Sequence, residues 1–208
     1  MKKLLGVLAA LLIMNTAYSR QAGRFRYQMD FGTAVPRDGG IGAIVNIEPQ
    51  ILVMDNLAVG MRMGVAGLAK DIVYYDIPDD YDGEIGANLS VLATANYYFN
   101  FGKGKVAPYI GGGFGYYSLS NINIEETDID EDDIENLEAD FAWAPMVRAG
   151  VELNKFRIGF EYNFVPKSNL QNVGGDIIGQ ATNEYFAFTL GFFVGGGRWG
   201  RNLSAASH

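Results

Sequence analysis

The sequence predicts an all-β protein, an eight-stranded antiparallel up-and-down transmembrane β-barrel. Three features predict it: a two-residue alternation of side-chain character, connections that alternate in length, and an export signal at the start. The alternation is clearest over residues 141–165, where one set is apolar and aromatic and the other holds Gly, Asn and charged residues. A period of two places these sets on opposite faces of a sheet. A soluble sandwich would bury the apolar face against a second sheet, whereas a membrane barrel turns that face toward lipid.

Residues 1–19 have the features of a secretory signal peptide. Lys2 and Lys3 precede an apolar run over residues 4–14, and small residues occupy the −3 and −1 positions of a cleavage site after Ser19. A single membrane anchor is the rival interpretation, but this run is far shorter than the roughly 20 apolar residues that a spanning helix needs. The sequence therefore predicts an exported protein.

Composition and charge agree with an exported membrane protein and exclude some partners. The chain has 27 Gly, 13 Phe and 12 Tyr but only six Pro, and it has no Cys, so no disulfide holds the exported domain together. Its formal net charge is −8, from 16 basic and 24 acidic residues. Such acidity disfavours nucleic acid as a partner, because phosphates would be repelled.

Eight segments have the pattern of strands, and their connections alternate in length. The segments are 24–35, 41–53, 57–68, 85–99, 106–119, 141–153, 156–165 and 180–194. The connections after strands two, four and six are short, whereas those after strands three, five and seven are long. Short periplasmic turns and longer outside loops are typical of outer-membrane barrels. Because the strand number is even, we expect both termini in the periplasm of a bacterial cell, with the barrel domain over 20–208 and a short tail over 195–208.

Four short segments resemble a known family. They are NIEPQ at 46–50, DNLAVG at 55–60, ANYYF at 95–99 and PYIGGGFG at 108–115. These resemble the small eight-stranded outer-membrane β-barrel family of OmpX, OmpW and the OmpA membrane domain. The resemblance implies the barrel architecture but no particular activity, since members share a fold and not a function. It also implies a closing aromatic residue on the last strand, which would be Phe193, although a tail follows it here.

Charged residues also fall on the face that the alternation places inside the barrel. Four of each sign are expected there: Arg26, Arg62, Arg148, Arg157, Asp30, Glu48, Glu152 and Glu161. Eight strands enclose an interior just wide enough for side chains, and an isolated buried ion costs several kcal/mol. We therefore predict a closed lumen filled by paired charges. Gly111, Gly113 and Gly115 on the fifth strand leave two alternatives, a hollow on one side or relief of crowding near Tyr109 and Tyr117.

The long connection over residues 120–140 is strongly acidic. Asp128, Asp130 and Asp132 have the one-three-five spacing of an EF-hand, but Asp133 occupies the sixth position and Ala139 the twelfth, so that calcium motif fails. We expect a solvated, self-repelling outer loop without a metal site. Weak divalent binding that bridges to lipopolysaccharide phosphates is the alternative. The acidic candidates are Glu125, Glu126, Asp128, Asp130, Glu131, Asp132 and Asp133.

The residue inventory also bears on catalysis. The lipid A deacylases, palmitoyltransferases and outer-membrane proteases resemble this barrel in outline and use a histidine, whereas the only histidine here is His208 in the tail. With no cysteine either, the usual nucleophilic pairs are excluded. We expect a non-enzymatic protein without cofactor that acts through its outer loops or its wall in surface interaction, envelope integrity or as an accessory subunit of a larger outer-membrane complex. Its expected partners are outer-membrane lipid and lipopolysaccharide, and the alternative function is a narrow, OmpW-like channel for small solutes.

Overall fold

A computed structural model of the chain describes residues 23–37, 39–71, 83–99, 105–123, 140–171 and 177–196. The strands are β1 (Phe25–Pro36), β2 (Ile41–Met54), β3 (Leu57–Asp71), β4 (Gly83–Tyr98), β5 (Val106–Asn123), β6 (Asp140–Leu153), β7 (Phe156–Asn163), β8 (Ser168–Gln171), β9 (Ile177–Ala181) and β10 (Tyr185–Gly195). Eight of them close an antiparallel barrel in the order β1-β10-β7-β6-β5-β4-β3-β2, while β8 and β9 form a separate two-stranded sheet. The predicted eight-stranded barrel is confirmed. Within these ranges no helix is long and apolar enough to span a membrane.

The two ends of the barrel differ in their connections. At the turn end β1 begins and β10 ends, and tight turns join β2 to β3 and β6 to β7. Asn154 in the second of these turns has a φ of 60°, a left-handed conformation that asparagine tolerates better than most residues. At the opposite, loop end lie Arg37 and the β8–β9 sheet. β1 and β10 pair antiparallel from Arg26 opposite Gly195 to Pro36 opposite Tyr185, so the barrel has no free edge.

Side chains alternate between the outside and the inside as the sequence predicts. On the outer wall Trp143 is 65% exposed and Phe156 is 69% exposed, whereas the inward Arg62 and Glu48 are each 1% exposed. This distribution is the inverse of that in a soluble protein, where charged residues lie outside. An apolar outer wall is stable only against lipid or another apolar surface.

Aromatic rings collect near both borders of the outer wall. At the loop end the Phe114 and Trp143 rings stack with centroids 5.7 Å apart, and Tyr116 stacks on Phe141 at 5.3 Å. At the turn end the Phe25 and Tyr27 rings meet edge to face at 4.7 Å. Aromatic girdles at both borders of an apolar band are typical of barrels that cross a bilayer.

The last part of the chain departs from the sequence prediction. Residues 180–194 were expected to form one strand, but Ile177–Ala181 pairs with Ser168–Gln171 in the separate sheet, and the final barrel strand begins only at Tyr185. The break is held by the buried Asn183, whose amide donates hydrogen bonds to the Pro166 carbonyl at 3.0 Å and to Ser168 Oγ at 2.9 Å. The expected long loop therefore contains a hairpin.

We predict that Phe160→Arg impairs folding into bilayers. Phe160 is 62% exposed on the outer wall, midway along the barrel opposite Phe188 and Ala149. An arginine near the bilayer midplane costs about 2–4 kcal/mol, falling to about 0–1 kcal/mol near the interface. Phe156→Arg, on the same face of the same strand but at the turn end, is the matched control. Urea titration of both variants in lipid vesicles measures the difference, and equal stabilities would show that this wall does not face the bilayer core.

Candidate functional site in the lumen

The eight inward charged residues form what we call the charge layer: Arg26, Asp30, Glu48, Arg62, Arg148, Glu152, Arg157 and Glu161. Five strands contribute them, namely β1, β2, β3, β6 and β7. The structure places all eight side chains inside the barrel, none more than 4% exposed. Their contacts decide whether this interior is a conducting path or a filled one.

Two ion pairs cross the full width of the lumen. Arg148 on β6 binds Glu48 on β2 with both terminal nitrogens, Nη1 to Oε2 at 2.6 Å and Nη2 to Oε1 at 2.7 Å. Arg62 on β3 lies 2.7 Å from Glu161 on β7, measured from Nη2 to Oε2. In the strand order β2 is opposite β6, and β3 is opposite β7. These two ion pairs therefore bridge diametrically opposed strands across the lumen.

A third cluster of charges lies nearer the turn end. Arg26 Nη1 is 3.2 Å from one oxygen of Glu152, and Arg157 Nη1 is 3.7 Å from the other. Both arginines also meet aromatic rings: the Arg157 guanidinium carbon lies 3.9 Å from the Tyr109 ring centroid, and that of Arg26 lies 4.6 Å from the Phe193 centroid. The aromatic residue that the resemblance placed at the end of the barrel is thus buried in the lumen, where it stabilises a cation.

Asp30 is the exception in the charge layer. Among the described residues no cationic nitrogen lies within 4 Å of its carboxylate. It accepts a hydrogen bond from Gln28 Nε2 instead, and Gln28 Oε1 in turn accepts from Arg157 Nη1 at 2.5 Å. Equal numbers of positive and negative residues therefore do not produce four separate ion pairs.

Neutral side chains help to link six of the charged residues, Arg26, Asp30, Glu48, Arg148, Glu152 and Arg157, into one network. Gln50 accepts from Arg26 Nε at 2.7 Å and donates to Glu48 Oε1 at 2.7 Å and to Gln28 Oε1 at 3.1 Å. Asn96 accepts from Arg148 Nε at 2.7 Å. The alternation places these side chains inside, but their bridging role depends on distances across the barrel that a strand pattern does not supply.

Apolar clusters bracket the charge layer at both ends of the lumen. The turn-end cluster is Leu52, Ala58, Tyr98, Ala107 and Tyr109. The larger loop-end cluster includes Leu68, Leu92, Tyr117, Leu119, Met146 and Tyr185. The tyrosines also serve the polar network, since the Tyr98 and Tyr109 hydroxyls accept from Arg26 and Arg157, the latter at 2.7 Å. Sequence reasoning missed both clusters because these apolar residues are scattered over inward positions of several strands.

The glycines of β5 do not leave a hollow. A Cβ added to Gly113 would meet the Thr94 methyl at 3.1 Å and Met146 Cε at 3.4 Å, so neighbouring side chains already fill that space. Tyr109 is accommodated by glycines on other strands. A Cβ on Gly150 would lie 2.6 Å from its hydroxyl oxygen, and a Cβ on Gly159 would lie 2.7 Å from it.

A second polar group lies at the loop end of the outer wall. Glu184 Oε2 accepts hydrogen bonds from the Tyr162 hydroxyl at 2.6 Å and from Arg37 Nη1 at 2.8 Å. These donors favour the ionised form, so the pKa of the Glu184 carboxyl is lowered from its ordinary value, by Tyr162 first and Arg37 second. Glu184 is therefore ionised at neutral pH.

Several predicted residues lie outside the described part of the chain. They include the signal peptide over 1–19, the tail beyond residue 196 with His208, and the acidic candidates Glu125, Glu126, Asp128, Asp130, Glu131, Asp132 and Asp133. Within the described ranges no group of three or more His, Asp or Glu side chains is placed to hold a metal ion.

Comparison with known proteins supports the same architecture. No protein-family model matches the sequence, and no curated protein matches it. Among solved structures, Neisserial surface protein A is similar over 83% of this chain and 97% of its own, with 15% identity and a TM-score of 0.52. The outer membrane protein OprG from Pseudomonas aeruginosa is similar over 85% and 98%, with 13% identity and a TM-score of 0.51. The chain has the fold of the small eight-stranded outer-membrane β-barrels.

We predict energetic coupling between Arg148 and Glu48. Arg148→Met should cost about 3–5 kcal/mol of folding free energy, because it leaves Glu48 charged and buried without its cation. Adding Glu48→Gln should recover part of this loss, since the stranded charge is removed. A double-mutant cycle by urea unfolding in detergent measures the coupling. The pair Arg148→Met and Glu184→Gln, whose side chains do not meet, should be additive, and additivity for both pairs would contradict the crossing ion pair.

We also predict that Gly159 is required for the position of Tyr109. Gly159→Ala should destabilise the barrel by about 1–3 kcal/mol through overpacking. The same change should cost less in a Tyr109→Phe background, where the clashing oxygen is absent. Gly67→Ala, on the outer face with nothing within 4 Å of its added Cβ, is the matched control and should be nearly neutral. An equal cost of Gly159→Ala in both backgrounds would show that Tyr109 does not occupy this space.

Proposed function

We propose that this protein is a non-enzymatic barrel of the bacterial outer membrane whose lumen is closed, and that it acts through its wall and its loop-end rim. The observation that carries the proposal is the pair of ion bridges between opposed strands. Arg148 with Glu48 and Arg62 with Glu161 each extend from one side of the lumen to the other. A solute would have to displace both pairs, and each broken pair would leave buried charges without compensation.

The apolar clusters add a second obstacle to a conducting path. At the turn end the Tyr98 and Tyr109 rings lie 5.7 Å apart, each no more than 2% exposed. At the loop end Tyr117 donates a hydrogen bond to Asn163 Oδ1 at 2.8 Å across buried apolar neighbours. An ion that crosses apolar material without partners meets a large desolvation penalty. The charge layer is thus separated from both ends of the barrel.

Catalysis is disfavoured by what the lumen contains. Its carboxylates contact arginines, glutamines and a threonine, and the whole sequence offers one histidine and no cysteine for nucleophilic chemistry. General acid–base catalysis also needs a substrate within hydrogen-bond reach of the acid or base. Side chains that fill the lumen and bind one another leave no such access.

These properties favour roles at the membrane surface. The exposed aromatic wall fits an outer-membrane location, and the hairpin of β8 and β9 adds protein mass at the loop end. Surface interaction, maintenance of the envelope and service as an accessory subunit of a larger outer-membrane complex all use these surfaces. We infer that the termini lie on the periplasmic side, because export delivers the N-terminus there and the number of barrel strands is even.

We predict that the purified protein shows no discrete channel openings in planar lipid bilayers, because the lumen is filled. The double variant Arg148→Met with Glu48→Gln removes one of the two ion pairs that cross the lumen. It should therefore change a current that passes through the lumen but not a current from a contaminant. Openings in the parent protein that change in size in this variant would overturn the proposal and favour the narrow channel. A silent parent supports it.

A further inference from the structure

A cavity of about 250 Å³ lies at the loop-end rim, outside the charge layer. It is lined by Arg37, Val165, Lys167, Thr182 and Glu184. Arg37 directly follows β1, Val165 and Lys167 follow β7, and Thr182 and Glu184 precede β10. We call it the rim cavity. At about 30 Å³ for each water in the liquid, its volume accommodates a tetrahedral anion together with the polar group that carries it.

The lining is cationic. Among the described residues that line the rim cavity, Glu184 is the only acidic one, and its Oε2 already accepts hydrogen bonds from Tyr162 and Arg37. Lys167 is exposed and makes no ion pair with any described residue. The Arg37 side chain is 62% exposed and binds Glu184 through Nη1 at 2.8 Å. The Lys167 ammonium, the Arg37 guanidinium and the Thr182 hydroxyl thus line one cavity. These are donor groups that suit a phosphate.

The rim cavity also borders the apolar wall. Tyr162, which donates to Glu184, packs its ring against Phe164 at 4.5 Å and against Phe186 at 4.4 Å between centroids. Phe164 and Phe186 are 41% and 58% exposed on the outer face. Below them the Phe160 and Phe188 rings continue the aromatic surface, 5.1 Å apart. The cationic site is therefore at the upper end of an aromatic track along β7 and β10.

We propose that the rim cavity binds the phosphate of an anionic membrane lipid whose acyl chains lie over Tyr162, Phe164 and Phe186. A soluble anion would use only the cationic lining, whereas a phospholipid uses the lining and the aromatic track together. The proposal rests on the proposed function, in that it names a partner of the rim and wall. It assigns Lys167 and Arg37 the role of contacting the phosphate, and the phenylalanines the role of contacting the chains.

The test measures whether the full-length barrel retains phosphatidic acid. The barrel is reconstituted in vesicles of phosphatidylcholine and phosphatidic acid and then extracted in mild detergent. Native mass spectrometry of the extract counts the lipids that stay bound. The parent should retain one phosphatidic acid. Since each basic residue near a lipid surface contributes a factor of about five in affinity, Lys167→Gln should weaken retention roughly fivefold, and Arg37→Gln with Lys167→Gln roughly 25-fold. Lys105→Gln, an exposed lysine at the turn end, is the matched control and should match the parent.

Further measurements distinguish a lipid phosphate from free phosphate, and the lipid site from the closed lumen. Phe186→Ala should weaken phosphatidic acid retention, and inorganic phosphate should fail to displace the lipid at equal concentration. Equal retention by the parent and the double variant, or equal affinity for inorganic phosphate, would overturn the lipid site. Channel openings in the parent would overturn the closed-lumen function without altering the lipid count, so the two failures are distinguishable.

Discussion

The ion pair between Arg148 and Glu48 joins two diametrically opposed strands of the barrel, and several neighbouring side chains bind to it. Asn96 fixes the arginine at Nε, and Thr94 and Gln50 donate to the carboxylate. A bidentate pair with further donors is the arrangement in which a buried ion pair recovers its desolvation cost. The pair from Arg62 to Glu161 also crosses the lumen, from β3 to β7, but it joins one nitrogen to one oxygen, and Asn46 Oδ1 accepts from the same nitrogen at 2.9 Å.

Such pairing is required because the barrel has its polar residues inside and its apolar residues outside. Its apolar residues are committed to the outer wall, so the polar half of every strand must be satisfied within a narrow lumen. Asp30 shows how the network manages an imperfect match. Its carboxylate is reached by no arginine within 4 Å in the described structure, and Gln28 connects it to Arg157 by accepting at one end and donating at the other. Amides, which both donate and accept, can relay between groups that are not adjacent.

The sequence was sufficient to predict which side chains lie inside, but not which of them would meet. The alternation placed Arg148 and Glu48 on the inner face, and eight predicted strands already imply that the second lies opposite the sixth. The pattern does not give the stagger between neighbouring strands. This stagger decides whether two inward residues lie at the same height along the barrel axis. The space that accommodates Tyr109 could not be predicted for the same reason. Gly150 and Gly159 lie on β6 and β7, and only the strand register places them beside the Tyr109 side chain. The sequence pattern does not reveal the β8–β9 hairpin, because the hydrogen bonds of the buried Asn183 at the break leave no periodic signal.

Recognition is better placed at the rim than in the lumen for an energetic reason. Side chains of the charge layer hold one another in a low-dielectric interior, so a change there is expected to cost stability before it alters any binding property. The exposed contact of Arg37 with Glu184 is different, because solvent screens it and its contribution to stability is small. A substitution there is therefore expected to leave the barrel folded. Yet Glu184 is held by two donors, and that arrangement orients Arg37 beside Lys167 at the rim cavity. A surface ion pair that adds little to stability can still fix the direction of a cation, and this is the property that a binding rim requires.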